Sequence, residues 1–420
     1  MSGRRSLGRP FGWLWAAYAV STFGTRLAFD AFPLIAVVVL DAGPRQVAAL
    51  AAAGLAVGAV VAVPLGPWVE FRRKRPVMVA MDLVRCAVLL SVPVAYAFGR
   101  LSLAQLLVVS AVMAAADIAF RAAAGSCLKA LVPPGDLLRA NGRFEATTWT
   151  ATMLGPPAGG AAIGLFGPVV TVTVDAVSHL LSALGVRAVG GGEPQPVRTG
   201  PARPRAGDLP AGWRFILTSP GLRPLFLNTL LVNGLIMATA PLLAVLMLGD
   251  LGFAPWQYGL AFAVPCAGGL LGSRLAGPLV TRFGDHRVLV ASGALRVCWS
   301  VGLAFVGPGT GGLVLVMAVE FGLITCAGVF NPVSATRRLD LTPADRVART
   351  LTAWTVSARL TTAALTALWG LLAGLTSPRT AIALAGVLLL VTPLLLVCPG
   401  QGPGSGGGPR RTAPGTRGRG

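Results

Sequence analysis

Lysine, histidine and acidic residues are scarce in this chain. Of 420 residues, two are lysine, two are histidine and 15 are acidic, against 35 Lys and Arg together. Each scarcity excludes a class of function. The two lysines, Lys74 and Lys129, follow Arg73 and Leu128 rather than glycine, so no GK[ST] phosphate-binding loop is present and the chain carries no P-loop ATPase of its own. His179 and His286 stand far apart, and the six cysteines at 86, 127, 266, 298, 326 and 398 show no CxxC or CxxxC spacing. No metal-ligand pattern or cofactor motif results, and the polar cluster that a membrane enzyme would need at one depth is missing; no enzyme activity and no cofactor are expected. Charge of either sign is sparse too: 12% of residues are charged and 54% hydrophobic, with a mean hydropathy of +0.73. That composition excludes an ordinary soluble domain. The net charge of +20 could suggest a nucleic-acid partner, but the cations are parcelled out between apolar runs rather than gathered on one face among aromatics, so none is expected.

What is present is organised around Gly66-Pro-Trp-Val-Glu-Phe-Arg-Arg-Lys-Arg-Pro76, a very basic turn between two long apolar runs. Four successive cations, Arg72 to Arg75, fix this loop in water, since each charge costs roughly 2.5–3.5 kcal/mol in hydrocarbon. Half a chain later the pattern returns: residues 277–290, GPLVTRFGDHRVLV, align without gaps to residues 66–79, GPWVEFRRKRPVMV. Pro134-Gly-Asp136 and Pro343-Ala-Asp345 form a second echo. Two similar halves, each crossing a membrane several times, are how many secondary transporters are built.

Because a span needs about 20 apolar residues, we read twelve helices at roughly 12–40, 47–69, 77–98, 103–122, 144–166, 168–189, 224–247, 257–280, 288–306, 312–333, 350–374 and 379–397. The chain divides into a six-helix bundle (1–189), a flexible linker rich in Gly, Pro and Arg (190–223), a second six-helix bundle (224–397) and a disordered tail (398–420) whose arginines could touch anionic lipid. Arg45, Arg100 and Arg379 would lie on one side of the bilayer. All other loop and terminal cations lie on the opposite side, so both termini are predicted to be cytoplasmic in a multi-pass protein of the plasma membrane.

The loop Gly66-x-Trp-Val-Glu70-x(3)-Lys74-Arg75 resembles the GxLaDrxGrk signature between the second and third helices of the major facilitator superfamily. Glu70 replaces its acid, and Arg73 stands at its second glycine. Gly277-x-Leu-Val-Thr-Arg282-x-Gly284 keeps that glycine but has Thr281 at the acid. Gly155-Pro-Pro-Ala-Gly-Gly160 is similar to the GPxxGG motif of the family's proton-coupled drug antiporters. Asp82-Leu-Val-Arg85, Leu131-Val-Pro-Pro with Ala140-Asn141, and Val174-Asp-Ala-Val-Ser178 resemble phrases of its macrolide and siderophore exporters. The family's mid-helix arginine on the fourth helix is absent. The resemblance implies an all-α integral membrane fold of twelve transmembrane helices in two six-helix halves, and a monomer.

It also implies that the first, fourth, seventh and tenth helices line a central cavity. There the sequence places Arg26 and Asp30, Asp117 and Arg121, Asn228 and Asn233, and Glu320. Arg26 with Asp30, and Asp117 with Arg121, are four apart and can pair on one helical face, either as structural bridges or as substrate, proton or gating groups. Glu320 has no partner on its own helix and sits among apolar residues, as a proton carrier requires; the alternatives are a backbone bond or a pair with Arg26. Asp175 and His179 are also four apart, and are read as a packing bond beneath the cavity helices. Arg274, Arg296 and Arg359 have no partner legible in the sequence.

In the resembling family the loop acid docks near the start of the eleventh helix; here that pairs Glu70 with Arg349, with Asp82 placed to neutralise Arg72 or Arg75. Gly66, Lys74, Arg75, Gly277, Arg282 and Gly284 complete the candidate gating loops. Gly155, Pro156, Gly159 and Gly160 are read as a helix seam allowing a bend and close approach. The expected function is secondary transport, export of small, partly hydrophobic compounds in exchange for protons. A proton-coupled importer, a passive facilitator and a non-transporting sensor are the alternatives.

Overall fold

The computed structural model describes residues 7–28, 31–40, 60, 64–190 and 210–397. Every regular element among them is helical: α1 (Arg9–Leu27), α2 (Ala31–Val38), α3 (Leu65–Glu70), α4 (Lys74–Ala97), α5 (Leu103–Leu131), α6 (Leu137–Phe166), α7 (Pro168–Arg187), α8 (Ala211–Thr218), α9 (Leu222–Val245), α10 (Pro255–Ala263), α11 (Cys266–Phe283), α12 (Asp285–Ser300), α13 (Gly309–Asp340), α14 (Val347–Leu375), α15 (Pro378–Val391) and α16 (Leu394–Val397). Backbone polar groups in lipid must bond within their own segment, which leaves helices as the structure open to such apolar runs. Nine helices among the described residues are long and apolar enough to cross a membrane.

The helices depart from the expected spans in informative ways. The run 12–40 breaks into α1 and α2, with residues 29 and 30 between them outside the described set. Most of 47–69 lies outside it too, as does the tail 398–420. Helices α5, α6 and α13 extend past the predicted apolar windows at the end carrying the basic loop, called here the basic end. An apolar window stops at the first charges, whereas the helix continues into water. The linker expected over 190–223 ends in helix α8, and residues 191–209 are outside the described set. Its Gly212 and Ile216, four apart, are buried, and a Cβ on Gly212 would lie 2.6 Å from the carbonyl oxygen of Arg349 on α14. Close contact with α14 therefore orders a segment whose composition alone reads as linker.

The repeated loops differ in backbone. Gly284 precedes α12 with φ of 85°, the left-handed region that favours glycine. Arg73, at the equivalent place before α4, has φ of −60° and ψ of 130°, so this turn needs no glycine. Within the second half, Arg296 is buried, donates to Asn228 Oδ1 at 2.6 Å and lies over the Phe330 ring at 3.6 Å. Asn228 in turn donates to the Thr392 carbonyl at 2.9 Å. Asn228, expected in the cavity, is thus a wholly buried clasp between α9 and its neighbours, while Asn233 is exposed.

Candidate functional site

Contacts between the halves form a seam that begins at the basic end. Glu70, at the end of α3, meets Arg349 on α14 with Oε2 and Nε 2.6 Å apart, and the Arg349 guanidinium lies over Phe71. Burial pushes the Glu70 carboxyl up to about 7, outweighing the opposing pull of Arg349 and Lys74. Lys74 donates to the carbonyls of Val69, Glu70 and Arg72, and so caps the turn. Arg75 reaches the Gly190 carbonyl at 2.6 Å. Lys129 on α5 donates to the carbonyls of Leu339 and Thr342. Deeper, Asn141 donates to Thr336 at 2.9 Å, and Asn331 to Glu145 at 2.7 Å; Glu145 also accepts from Trp149 Nε1 at 2.8 Å. The second basic loop makes no such crossing among the described residues: Arg282 lies over its neighbour Phe283, a Cβ on Gly277 would meet nothing, and Thr281 bonds its own helix.

The seam ends on Asp117 and on the Ala114 carbonyl, which accepts from Arg359 Nη1 at 3.2 Å. Asp117 Oδ2 accepts from Arg359 Nη2 of the second half at 2.6 Å, and its Oδ1 lies 3.0 Å from Arg121 Nε and 3.9 Å from Arg85 Nη1. From there charges continue through the first half. Arg85 pairs with Asp82 at 2.9 Å, His179 Nδ1 lies 3.4 Å from Asp82, its Nε2 lies 3.5 Å from Asp175, and Thr25 of α1 donates to Asp175 at 3.2 Å. Asp82 does not neutralise Arg72 or Arg75. It lies about 12 Å along α4 from the loop and is fully buried, where a loop cation could follow only at a large desolvation cost. The Asp175 and His179 pair is one end of a larger chain, not an isolated packing bond. Arg359, unassigned from sequence, supplies its link to the other half.

Beyond the seam lies the region that joins the remaining candidates. Gly155 and Gly159 of α6 run against the end of α1: added Cβ atoms would come within 2.6 Å of Arg26 Cβ and 2.1 Å of the Leu27 carbonyl oxygen. Gly160 has nothing within 4 Å, and Pro156 lies within the unbroken helix α6. Two of the motif's glycines therefore set the depth and closeness of Arg26. Glu320 on α13 is 8% exposed and makes no hydrogen bond or ion pair among the described residues. Cys266, at the start of α11, lies near both Arg26 and Glu320, and Tyr258 lies near Glu320. Arg26 from one half and Glu320 from the other thus flank one point without pairing. Asp30 lies outside the described residues, and Arg274 is exposed on α11. Glu145 and Arg85 are the polar groups that reading by spans passed over. The Glu145 to Trp149 spacing of four was the available signal.

Comparisons agree with this architecture. The multidrug efflux pump Tap of Mycobacterium tuberculosis is 26% identical over 334 residues, covering 76% of this chain and 78% of the relative; its counterpart in Mycobacterium bovis matches equally. Among solved structures, a bacterial homologue of the iron transporter ferroportin in an outward-facing state superposes with a TM-score of 0.77 at 16% identity, covering 93% of this chain and 99% of that one. The human organic anion transporter MFSD10 (TETRAN) does so with 0.71 at 13% identity, covering 94% and 100%. The model of one family matches residues 14–335 and 225–416. With its apolar spans and repeated basic loops, this multi-pass membrane protein belongs to the Major Facilitator Superfamily.

Proposed function

We propose that the chain is a twelve-span, proton-coupled exporter of small, partly hydrophobic compounds, working by alternating access between residues 1–189 and 224–397. The observation that carries this reading is the placement of Arg26 and Glu320 on opposite halves, flanking Cys266 just beyond a seam that the halves make toward the basic end. A substrate entering from the end opposite the basic loops meets a cation and a carboxyl that do not satisfy each other. Binding or release there alters the surroundings of Glu320, which is how a proton and a substrate exchange at one place. The efflux pump Tap supports the choice of export and of substrate class. The cation-rich loops support cytoplasmic termini and a plasma membrane location, with the linker and tail on the same side.

The test is transport in proteoliposomes loaded with a pH dye, challenged with lipophilic compounds under an imposed proton gradient. Compound-dependent proton flux should appear in the wild type and be abolished in Glu320→Gln. Compound movement with no proton flux would make the protein a facilitator, and flux in the same direction as the proton a symporter. Flux unaltered in Glu320→Gln would remove Glu320 from the coupling site.

A further inference from the structure

Between α8 and the first turn of α14 lies a cavity of about 290 Å³ lined by Gly212, Arg214, Phe215, Arg346, Arg349 and Thr350, among others. Three of these residues carry guanidinium groups, and none of the lining residues is acidic. Arg346 lies over the Phe215 ring at 5.3 Å and is 54% exposed at its side chain, with Asp345 only a distant 3.8 Å away. Arg349 meets Glu70. Of the two lining threonines, Thr218 donates to the carbonyls of Arg214 and Phe215, whereas Thr350 is fully buried and its hydroxyl has no hydrogen-bond partner among the described residues. A buried hydroxyl without a partner costs free energy, and a lining position lets an acceptor oxygen relieve it. The start of α14 adds unpaired backbone N–H groups and the positive end of the helix dipole.

We propose that this cavity binds a phosphate-bearing anion. Guanidinium forks match phosphate oxygens in two-point bonds, and Thr350 supplies a neutral donor within the same wall. The volume accepts a phosphate with the first atoms of an ester substituent. That chemistry is shared by the headgroup of an anionic phospholipid and by a soluble phosphate ester. Because Arg349 also holds Glu70, an occupant draws the same guanidinium, and occupancy weakens the bond between the halves at the basic end; this consequence rests on the latch reading of Glu70, whereas the binding itself does not.

The test is calorimetric titration of the purified full-length chain in neutral detergent. The probes are inorganic phosphate, glycerol 3-phosphate, dioctanoyl phosphatidylglycerol and, as a zwitterionic control, dioctanoyl phosphatidylcholine. Saturable binding is expected, weakened about tenfold or more in Arg214→Gln/Arg346→Gln by loss of two charge-assisted contacts, less in Thr350→Val, and unchanged in Arg100→Gln at the far end. Both double-variant positions are exposed, so the fold tolerates them. Binding of phosphatidylglycerol alone identifies a lipid site; binding of the soluble esters as well identifies a site for the phosphate itself. Absence of saturable binding by every anionic probe, or affinity unmoved in the double variant, overturns the proposal. In Glu70→Gln the competitor charge is gone and affinity should rise a few-fold. No rise, with dependence on Arg214 and Arg346 intact, would leave the site standing and sink its link to the latch.

Discussion

Asp117 and Glu70 are the two carboxyls among the described residues that form ion pairs between the halves, and they differ in company. Asp117 faces three guanidinium groups, from Arg85, Arg121 and Arg359; removing its charge leaves Arg121 and Arg359 without a counterion, while Arg85 keeps Asp82. Glu70 is largely buried, and burial outweighs the pull of Arg349 and Lys74, so its carboxyl stands at about 7 rather than the ordinary 4.5. The sign of the resulting pH dependence follows. When the basic end opens, water reaches Glu70 and its ordinary value returns, so the closed seam binds the proton more tightly. The contribution of Glu70 to closure is complete below about pH 4.5 and is lost as pH rises through about 7. Closure at the basic end, read by distances between attached spin labels, should therefore weaken between pH 5 and 8 in the wild type and stay flat in Glu70→Gln. In Arg349→Gln the midpoint should move to higher pH, because the cation that holds the carboxyl down is gone. His179 lies between two buried carboxylates; His179→Leu removes the contact that joins them, while Asp82 keeps Arg85 and Asp175 keeps Thr25, and should lower stability by about 1–3 kcal/mol in thermal or chaotrope unfolding in detergent. Little change would mean that water or relaxed packing already satisfies Asp82 and Asp175.

At the scale of elements, the glycine-rich helix α6 is a seam at two of its positions. Gly159→Leu would drive a side chain into the Leu27 carbonyl, where an added Cβ already lies 2.1 Å away, and overpacking of this kind costs about 1–3 kcal/mol or more. Gly160→Ala meets nothing and should fall within about 0.5 kcal/mol of wild type; equal effects would show that spacing alone, not contact, matters. The repeated loops provide a second pair. Gly284→Ala places a Cβ at positive φ and should cost about 1–2 kcal/mol, while Arg73→Gly gains no such relief. Much of this was legible in the sequence: the apolar runs located the helices, and the duplicated Gly-Pro-x-Val loops located the repeat. Their ends were not, because α5, α6 and α13 continue past the apolar windows into water. The order in α8 was hidden too, since it comes from a close approach of Gly212 to α14 that composition does not encode. Spacing of four identified Asp117 with Arg121 and Asp175 with His179, but pairs within one helix are all that such spacing can reveal. The links from Asp82 to His179, and from Asp117 to Arg359, join different helices and required the fold.

For the whole molecule, the hydrogen bonds and ion pairs between the halves among the described residues run from Lys129 and Glu70 at the basic end to Arg359, which bonds the pair formed by Asp117 and the Ala114 carbonyl. That pair lies about 20 Å in along α5. Beyond it, Arg26 and Glu320 flank Cys266 without an ion pair. Alternating access requires that these bonds break while the far end closes over the same point, so the two ends must move oppositely. The most direct measurement is a pair of spin-label distances on protein whose native cysteines have been replaced: Pro134→Cys with Thr281→Cys at the basic end, and Arg100→Cys with Thr376→Cys at the far end. Breaking the innermost bond with Arg359→Gln should populate a longer distance at the basic end together with a shorter one at the far end. A basic end that lengthens while the far end stays unchanged would contradict alternating access, as would two ends that lengthen together.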